Sequence, residues 1–224
     1  MSENDATPRR ALCVQCERPQ SACICHWIMP TGNTIDILIL QHPLETGHAK
    51  GTGLLLHRSL QHSSLAIGEE FDAETLQSLL HGPCDKLAEH SSGKPITALL
   101  YPEDAATYTN GDAGSHENHL KPDRLVVLDA TWRKSRKMLY LNPLLAALPR
   151  VALKDITSSR YHIRKAHRDD QLSTFEATCH ALAQLEGDTN RYVPMLQAFD
   201  GFVAQQQTYR QQHALGSPTS EYKP

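Results

Sequence analysis

Two uninterrupted apolar runs limit what this chain can fold into more than any other feature. Residues 34–41 (TIDILILQ) and 124–128 (RLVVL) hold consecutive Ile, Leu and Val instead of an apolar–polar alternation. A strand of that kind is buried on both faces, and a sheet covered on both faces is usually parallel, because its crossover connections lay helices over it. Shorter strand patterns stand at 64–67, 96–101 and 150–153, and helical patterns at 46–60, 72–80, 172–185 and 193–212. Gly51 and Gly53 weaken the first of these helices. After residue 128 a further helix is predicted to about residue 145, with Trp132, Met138, Leu139, Leu141, Leu144 and Leu145 as its apolar stripe. Strands alternating with helices predict an α/β fold around a mostly parallel sheet. The polar stretch 103–122 reads as a long exposed loop, and residues 1–10 and 213–224 as flexible ends.

The 224 residues are 40% apolar, enough for one sizeable core and a small appendage. No apolar run approaches the roughly 20 residues that cross a bilayer, so no membrane is expected as a partner. Residues 1–10 are polar and lack the apolar stretch of a secretion signal. The expected compartment is therefore the cytoplasm, where thiols stay reduced. The net charge of -3 argues against a polyanionic partner, but its distribution does not. Residues 121–168 carry twelve Lys and Arg against three acids, leaving the rest of the chain acidic. One basic face on an acidic protein is compatible with nucleic acid, and equally with charges that pair or sit solvated.

Four cysteines crowd thirteen residues, as Cys13-Val-Gln-Cys16 and then Cys23-Ile-Cys25. Thiolates so spaced converge on one ion, and four of them make a closed tetrahedral shell that marks a structural zinc site. Such a site stabilises a segment, here 11–30, too short to build a core of its own. The same ligands suit an iron–sulfur cluster, and unmetallated thiols are the third possibility. Cys84 and Cys179 have no neighbours that would lower a thiol pKa, and Cys179, inside a helical pattern, reads as a small buried apolar residue.

Asp129 follows the second apolar run directly, at what would be the carboxyl end of a strand, where open α/β sheets bind ligands. Thr131 is placed to cap the next helix, and Trp132 offers a flat face for stacking. Arg133, Lys134, Arg136 and Lys137 follow within one and a half turns. The helix start suits a carboxylate or phosphate. The same residues also serve a capped helix with a structural aspartate, a core tryptophan and solvated cations. No Gly-x-Gly-x-x-Gly, Walker lysine loop or Gly-x-Ser-x-Gly elbow is present; Gly51-Thr-Gly53 is half of the first. The thirteen histidines show no metal-ligand spacing.

Taken in order, these stretches resemble the DTW-domain family, named for Asp-x-Thr-Trp, which stands here as Asp129-Ala130-Thr131-Trp132. The likeness includes the two cysteine pairs, Gln41-His42-Pro43-x-Glu45 and Leu100-Tyr101-Pro102. It continues through Ser159-Arg160-Tyr161-x-Ile163-Arg164-Lys165 and Leu172-Ser173-Thr174-x-Glu176-Ala177. It spans residues 13–205 apart from the polar loop. The resemblance implies a tRNA-uridine aminocarboxypropyltransferase, which moves the 3-amino-3-carboxypropyl group of S-adenosylmethionine to uridine N3 and releases methylthioadenosine. It also implies a SPOUT-like knotted α/β fold over 31–212, a rare exception to unknotted chains. The likeness leans to the bacterial members, which modify a variable-loop uridine.

On that resemblance Asp129 becomes the candidate base, with Thr131 and Trp132 beside it in the reaction site. Leu100, Tyr101, Pro102, Leu128, Ala130 and Leu153 would wrap S-adenosylmethionine, as knot loops do. Thr131 and its helix start would take the donor's carboxylate. Ser173 and Glu176 share a helical face, so Glu176 either holds the donor's ammonium or closes a capping box with Ser173. Arg133, Arg136, Lys137, Arg160, Arg164, Lys165 and Arg168 would meet tRNA phosphates, and Tyr161 or Trp132 would stack on the extruded uridine. Two other readings are a SPOUT-like tRNA methyltransferase and a zinc-stabilised RNA-binding module without catalysis. No interface for self-association stands out in the sequence.

Overall fold

A computed structural model describes residues 11–46, 51–83, 94–102, 121–153 and 172–215. Its centre is a five-stranded parallel sheet of β1 (Asp36–Gln41), β2 (Ser63–Ile67), β3 (Thr97–Leu100), β4 (Arg124–Asp129) and β5 (Arg150–Val151), in the order β2-β1-β4-β3-β5. The two apolar runs are its adjacent central strands, β1 and β4. All six residues of β4 are buried, as are five of the six in β1. Edge strand β2, which has only half-buried and exposed residues, carries the shorter apolar pattern.

Alternate side chains of each central strand enter opposite cores. Ile37, Ile39, Leu125 and Val127 face α1 (Gly53–Ser59), α5 (Thr174–Glu186) and α6 (Val193–Leu215) through Leu55, Leu56, Phe175, Leu182, Phe199 and Phe202. Leu38, Leu40, Val126 and Leu128 face α2 (Ala73–His81), α3 (Trp132–Leu141) and α4 (Pro143–Ala146) through Leu76, Leu80, Met138 and Leu145. Asp72 caps α2 by accepting from the Thr75 N–H at 2.8 Å. At the amino edge of the sheet Arg124 pairs with Asp36 at 2.6 Å and also donates to the carbonyls of Leu79 and Gly82. Glu186, at the end of α5, accepts from the Thr34 and Ile35 N–H groups, the Tyr192 hydroxyl and Arg191, and so ties that helix to the start of β1.

Three expectations are corrected. The helix expected over 46–60 starts only at Gly53. The single helix expected to about residue 145 is two, because Pro143 has no N–H to give and disfavours helical backbone at Asn142. Asn142 fills the break, its amide bonding Phe71 N–H and the carbonyls of Glu69 and Met138. The stripe on this segment is also narrower than expected. Met138 and Leu145 are buried, but Trp132 and Leu144 are exposed, and the third inward position is Ser135. The loop expected at 103–122 lies outside the described residues except for its last two positions.

Candidate active site and cysteine cluster

The chain leaves β1 toward β2 on one side and leaves β4 toward β5 on the other, so the sheet reverses direction between its two central strands. The crevice beyond the carboxyl ends of strands at such a point is where α/β sheets place ligands. Here the final residues of β1 and β4, Gln41 and Asp129, are register partners. The Gln41 Nε2 donates to Asp129 Oδ2 at 2.8 Å. The Thr174 hydroxyl at the start of α5 and the Gly53 N–H at the start of α1 lie near the carboxylate and favour its charged form. Asp129 is only 6% exposed. Burial pushes its pKa up from the ordinary aspartate value, Gln41 and Thr174 draw it partly back, and the nearby Glu45 charge adds to the rise.

Gly53 is required by this approach. A β-carbon there would lie 2.4 Å from Asp129 Oδ2 and 2.9 Å from Gln41 Nε2. The half-motif Gly51-Thr-Gly53 thus ends in a residue that lets a helix start meet a buried carboxylate, and not in a nucleotide loop.

Thr131 occupies the N-cap position of α3 but makes no capping bond through its side chain, which corrects the expected cap. It is exposed beside Trp132, which is 47% exposed and therefore no core residue. The Trp132 ring meets Tyr101 edge-on at 5.5 Å. The Tyr101 hydroxyl lies 3.2 Å from Ser135 Oγ, and the Arg150 guanidinium sits 5.3 Å from the Tyr101 ring centre. Arg150 also donates to the Pro102 carbonyl at 3.0 Å. Leu100 ends β3 with Tyr101 and Pro102 directly after it, Leu128 and Ala130 flank Asp129 at the end of β4, and Leu153 follows β5. These three strands are neighbours, so the predicted residues share one edge of the sheet.

Ser173 and Glu176 close a capping box on α5. The Ser173 hydroxyl accepts from Glu176 N–H at 3.2 Å, and Glu176 Oε2 accepts from Ser173 N–H at 3.0 Å. Of the two roles expected for Glu176, the capping one is formed in the structure. Arg133, Arg136 and Lys137 are exposed on α3. Lys137 pairs with Glu69 at 2.8 Å, and Lys134 with Glu45 at 2.7 Å. Glu69 also accepts from Nε2 of buried His42 at 3.0 Å, while Nδ1 of that ring accepts from the Leu44 N–H. Arg160, Tyr161, Arg164, Lys165 and Arg168 lie outside the described residues, as does Cys84.

Gln41, Gly53, Thr174, Glu45 and Glu69 were not among the predicted site residues. The signal for two of them was the stretch Gln41-His42-Pro43-x-Glu45 at the end of a buried run, where a polar side chain needs a buried partner.

The four N-terminal cysteines come together with their sulfurs all within 4.8 Å of one another. The Sγ atoms of Cys13 and Cys25 are 3.7 Å apart, and those of Cys16 and Cys23 3.8 Å. A tetrahedron with 2.3 Å metal–sulfur bonds has edges of about 3.8 Å, so this donor set fits one ion. Backbone N–H groups of Cys16 and Gln15 lower the Cys13 thiol to about 6, whereas burial and the other sulfurs push Cys25 up to about 12. The Cys13–Cys16 turn is closed by Glu17 at φ 58, in the left-handed region. Trp27 docks the segment on α6, with its indole N–H bonded to Gln205 and its ring filling the space above Gly201. Cys179 is fully buried, as the helical pattern around it led us to expect, and burial raises its pKa.

A five-stranded parallel sheet covered on both faces, with a buried carboxylate at its switch point and an N-terminal four-thiol cluster, defines an α/β protein of the class that binds ligands at the carboxyl ends of its strands. The DTW domain model matches residues 10–207, and the chain belongs to that family. It is 31% identical over 189 residues to tRNA-uridine aminocarboxypropyltransferase 2 of Macaca fascicularis, covering 83% of this chain and 59% of that one. It is 30% identical to the protein of the same name from Drosophila melanogaster, covering 81% and 69%. To tRNA-uridine aminocarboxypropyltransferase A of Arabidopsis thaliana it is 29% identical, covering 83% and 76%. The chain thus spans about 59% of the length of the first of these relatives. No solved structure matches it. Among the described residues no helix is long and apolar enough to cross a membrane.

Proposed function

We propose that this chain transfers the 3-amino-3-carboxypropyl group of S-adenosylmethionine to N3 of a tRNA uridine, in the variable loop. The observation that carries the reading is the buried, hydrogen-bonded Asp129 at the switch point of a DTW-family sheet. The names of the relatives support the donor and the acceptor.

In this reading Asp129 accepts the proton of uridine N3. The N3–carbon bond forms at the methylene next to the sulfonium as the carbon–sulfur bond breaks, and methylthioadenosine leaves with the sulfur electron pair. A buried carboxylate with a raised pKa is a stronger base than an exposed one. Gln41 fixes its orientation, with Gly53 close against it, and orientation decides whether N3 meets the methylene or the methyl carbon. Thr131 and the start of α3 take the donor's carboxylate, and Trp132 stacks on the uridine. Leu100, Tyr101, Pro102, Leu128, Ala130 and Leu153 line the donor in a SPOUT-like knot formed over residues 31–212; the order of the parallel sheet supports that arrangement. Cys13, Cys16, Cys23 and Cys25 hold one structural zinc ion within 11–30, which the distances between the sulfurs support. The chain works in the cytoplasm.

The donor-derived product tests the reading. Addition of unmodified tRNA should release methylthioadenosine from S-adenosylmethionine. S-Adenosylhomocysteine in its place would make the chain a methyltransferase.

A further inference from the structure

Helix α3 has an outer face that the sheet does not use. At 100° per residue, Trp132, Arg136, Tyr140, Arg133 and Lys137 fall within one sector of about 140°, while Ser135 and Met138 point into the protein. All five are exposed, and Tyr140 is 84% exposed. The face therefore combines two aromatic rings with three cations over about 12 Å of helix. Its chemistry is one-sided: the segment Trp132–Leu141 contains no acid. Lys137 is held by Glu69, but no ion pair is made by Arg133 or Arg136 among the described residues.

We propose that this ridge recognises unpaired RNA, with Tyr140 stacking on a base outside the reaction site and Arg133 and Arg136 on the flanking phosphates. The proposal rests on the transferase reading only for the identity of the RNA. Aromatic rings set between cations bind single strands, because an unstacked base offers its flat face while its backbone meets the charges. Paired bases in an A-form helix offer no such face. The charge favours a polyanion over a protein partner: three of the five exposed side chains are cations, and the acid paired with one of them, Glu69, lies off the helix. The position fits too: Trp132, at the foot of the ridge, stands three residues after Asp129 and is pinned by Tyr101, so a base on Tyr140 lies two helical turns from the site.

The test uses the full chain and two labelled RNA probes, a stem-loop with a uridine-containing loop and a blunt duplex of the same length. Binding is measured by fluorescence anisotropy at several salt concentrations. Tyr140→Ala should weaken stem-loop binding about tenfold and leave duplex binding within about twofold, and Tyr140→Trp should retain both. Arg136→Ala should weaken both and flatten the salt dependence by about one phosphate. Equal affinity of Tyr140→Ala and wild type for the stem-loop overturns the proposal, as does an equal loss on both probes. A fall in molar mass of Tyr140→Ala by light scattering, with stem-loop affinity unchanged, would assign the face to a second copy of the chain. Selective loss of stem-loop binding, with no uridine adduct formed even by the wild type, supports the ridge and defeats the transferase reading alone.

Discussion

Gln41 and Asp129 face each other at the ends of adjacent parallel strands, with the amide of one donating to the carboxylate of the other at 2.8 Å. The pair couples the two central strands at the edge where the site lies. It also sets the carboxylate's proton affinity, since burial raises the pKa and the amide opposes the rise. A base acts only when deprotonated, so kcat/KM should fall as pH drops through a value above the ordinary aspartate range near 3.9. Gln41→Leu removes a donor to the anion, so the acid limb should move further up in pH. A limb that stays in place would show that Gln41 does not set the ionisation of Asp129.

Gly53→Ala places a methyl group against Asp129 and Gln41. The contact is with side-chain atoms held by hydrogen bonds, so relief requires moving the carboxylate. We expect a stability loss of about 1–3 kcal/mol by denaturant titration and a loss of turnover larger than the loss of folded protein explains.

Ser173→Ala removes the cap of α5 and should cost about 1 kcal/mol of stability. If Glu176 serves chiefly in the capping box, the KM for S-adenosylmethionine should stay within about twofold of wild type, measured where both proteins are fully folded. A KM rise with unchanged stability would instead place this helix start in the donor site.

The cysteine cluster should bind one zinc ion per chain by elemental analysis. Chelation should lower the melting temperature and change the fluorescence of Trp27, because the segment docks on α6 through that ring. Glu17→Gly relieves a left-handed backbone and should raise stability by up to about 1 kcal/mol.

Glu186 adds a pH dependence. Burial opposes its ionisation, but hydrogen bonds from Tyr192 and from the Thr34 and Ile35 N–H groups outweigh it, and the pKa is lowered. A carboxylate depressed in the folded state stabilises the fold above its unfolded pKa, near 4.3, and the stability is lost as pH falls through the lower folded value. Glu186→Gln should remove that acid-labile part, read as a flatter fall of denaturation midpoint below pH 4.3.

What the sequence showed best was what physical chemistry makes local. The runs 34–41 and 124–128 announced buried parallel strands because nothing in them could face water, and the cysteine spacing announced one cluster. The break at Asn142 was visible in Pro143 but was overridden by the apolar pattern around it. The role of Gly53 was hidden, because a close approach depends on a carboxylate 76 positions away in the chain. The roles of Gln41 and Thr174 were hidden too, since strand pairing brings the first to Asp129 and the packing of α5 on the sheet brings the second.

The most direct test of the account is the mass of the nucleosides after unmodified tRNA is incubated with the purified chain and S-adenosylmethionine, with Asp129→Ala alongside. An aminocarboxypropyl-uridine is expected in the wild-type reaction and should be lost in the folded variant. A methyl adduct, or an aminocarboxypropyl adduct formed equally well by Asp129→Ala, would contradict it.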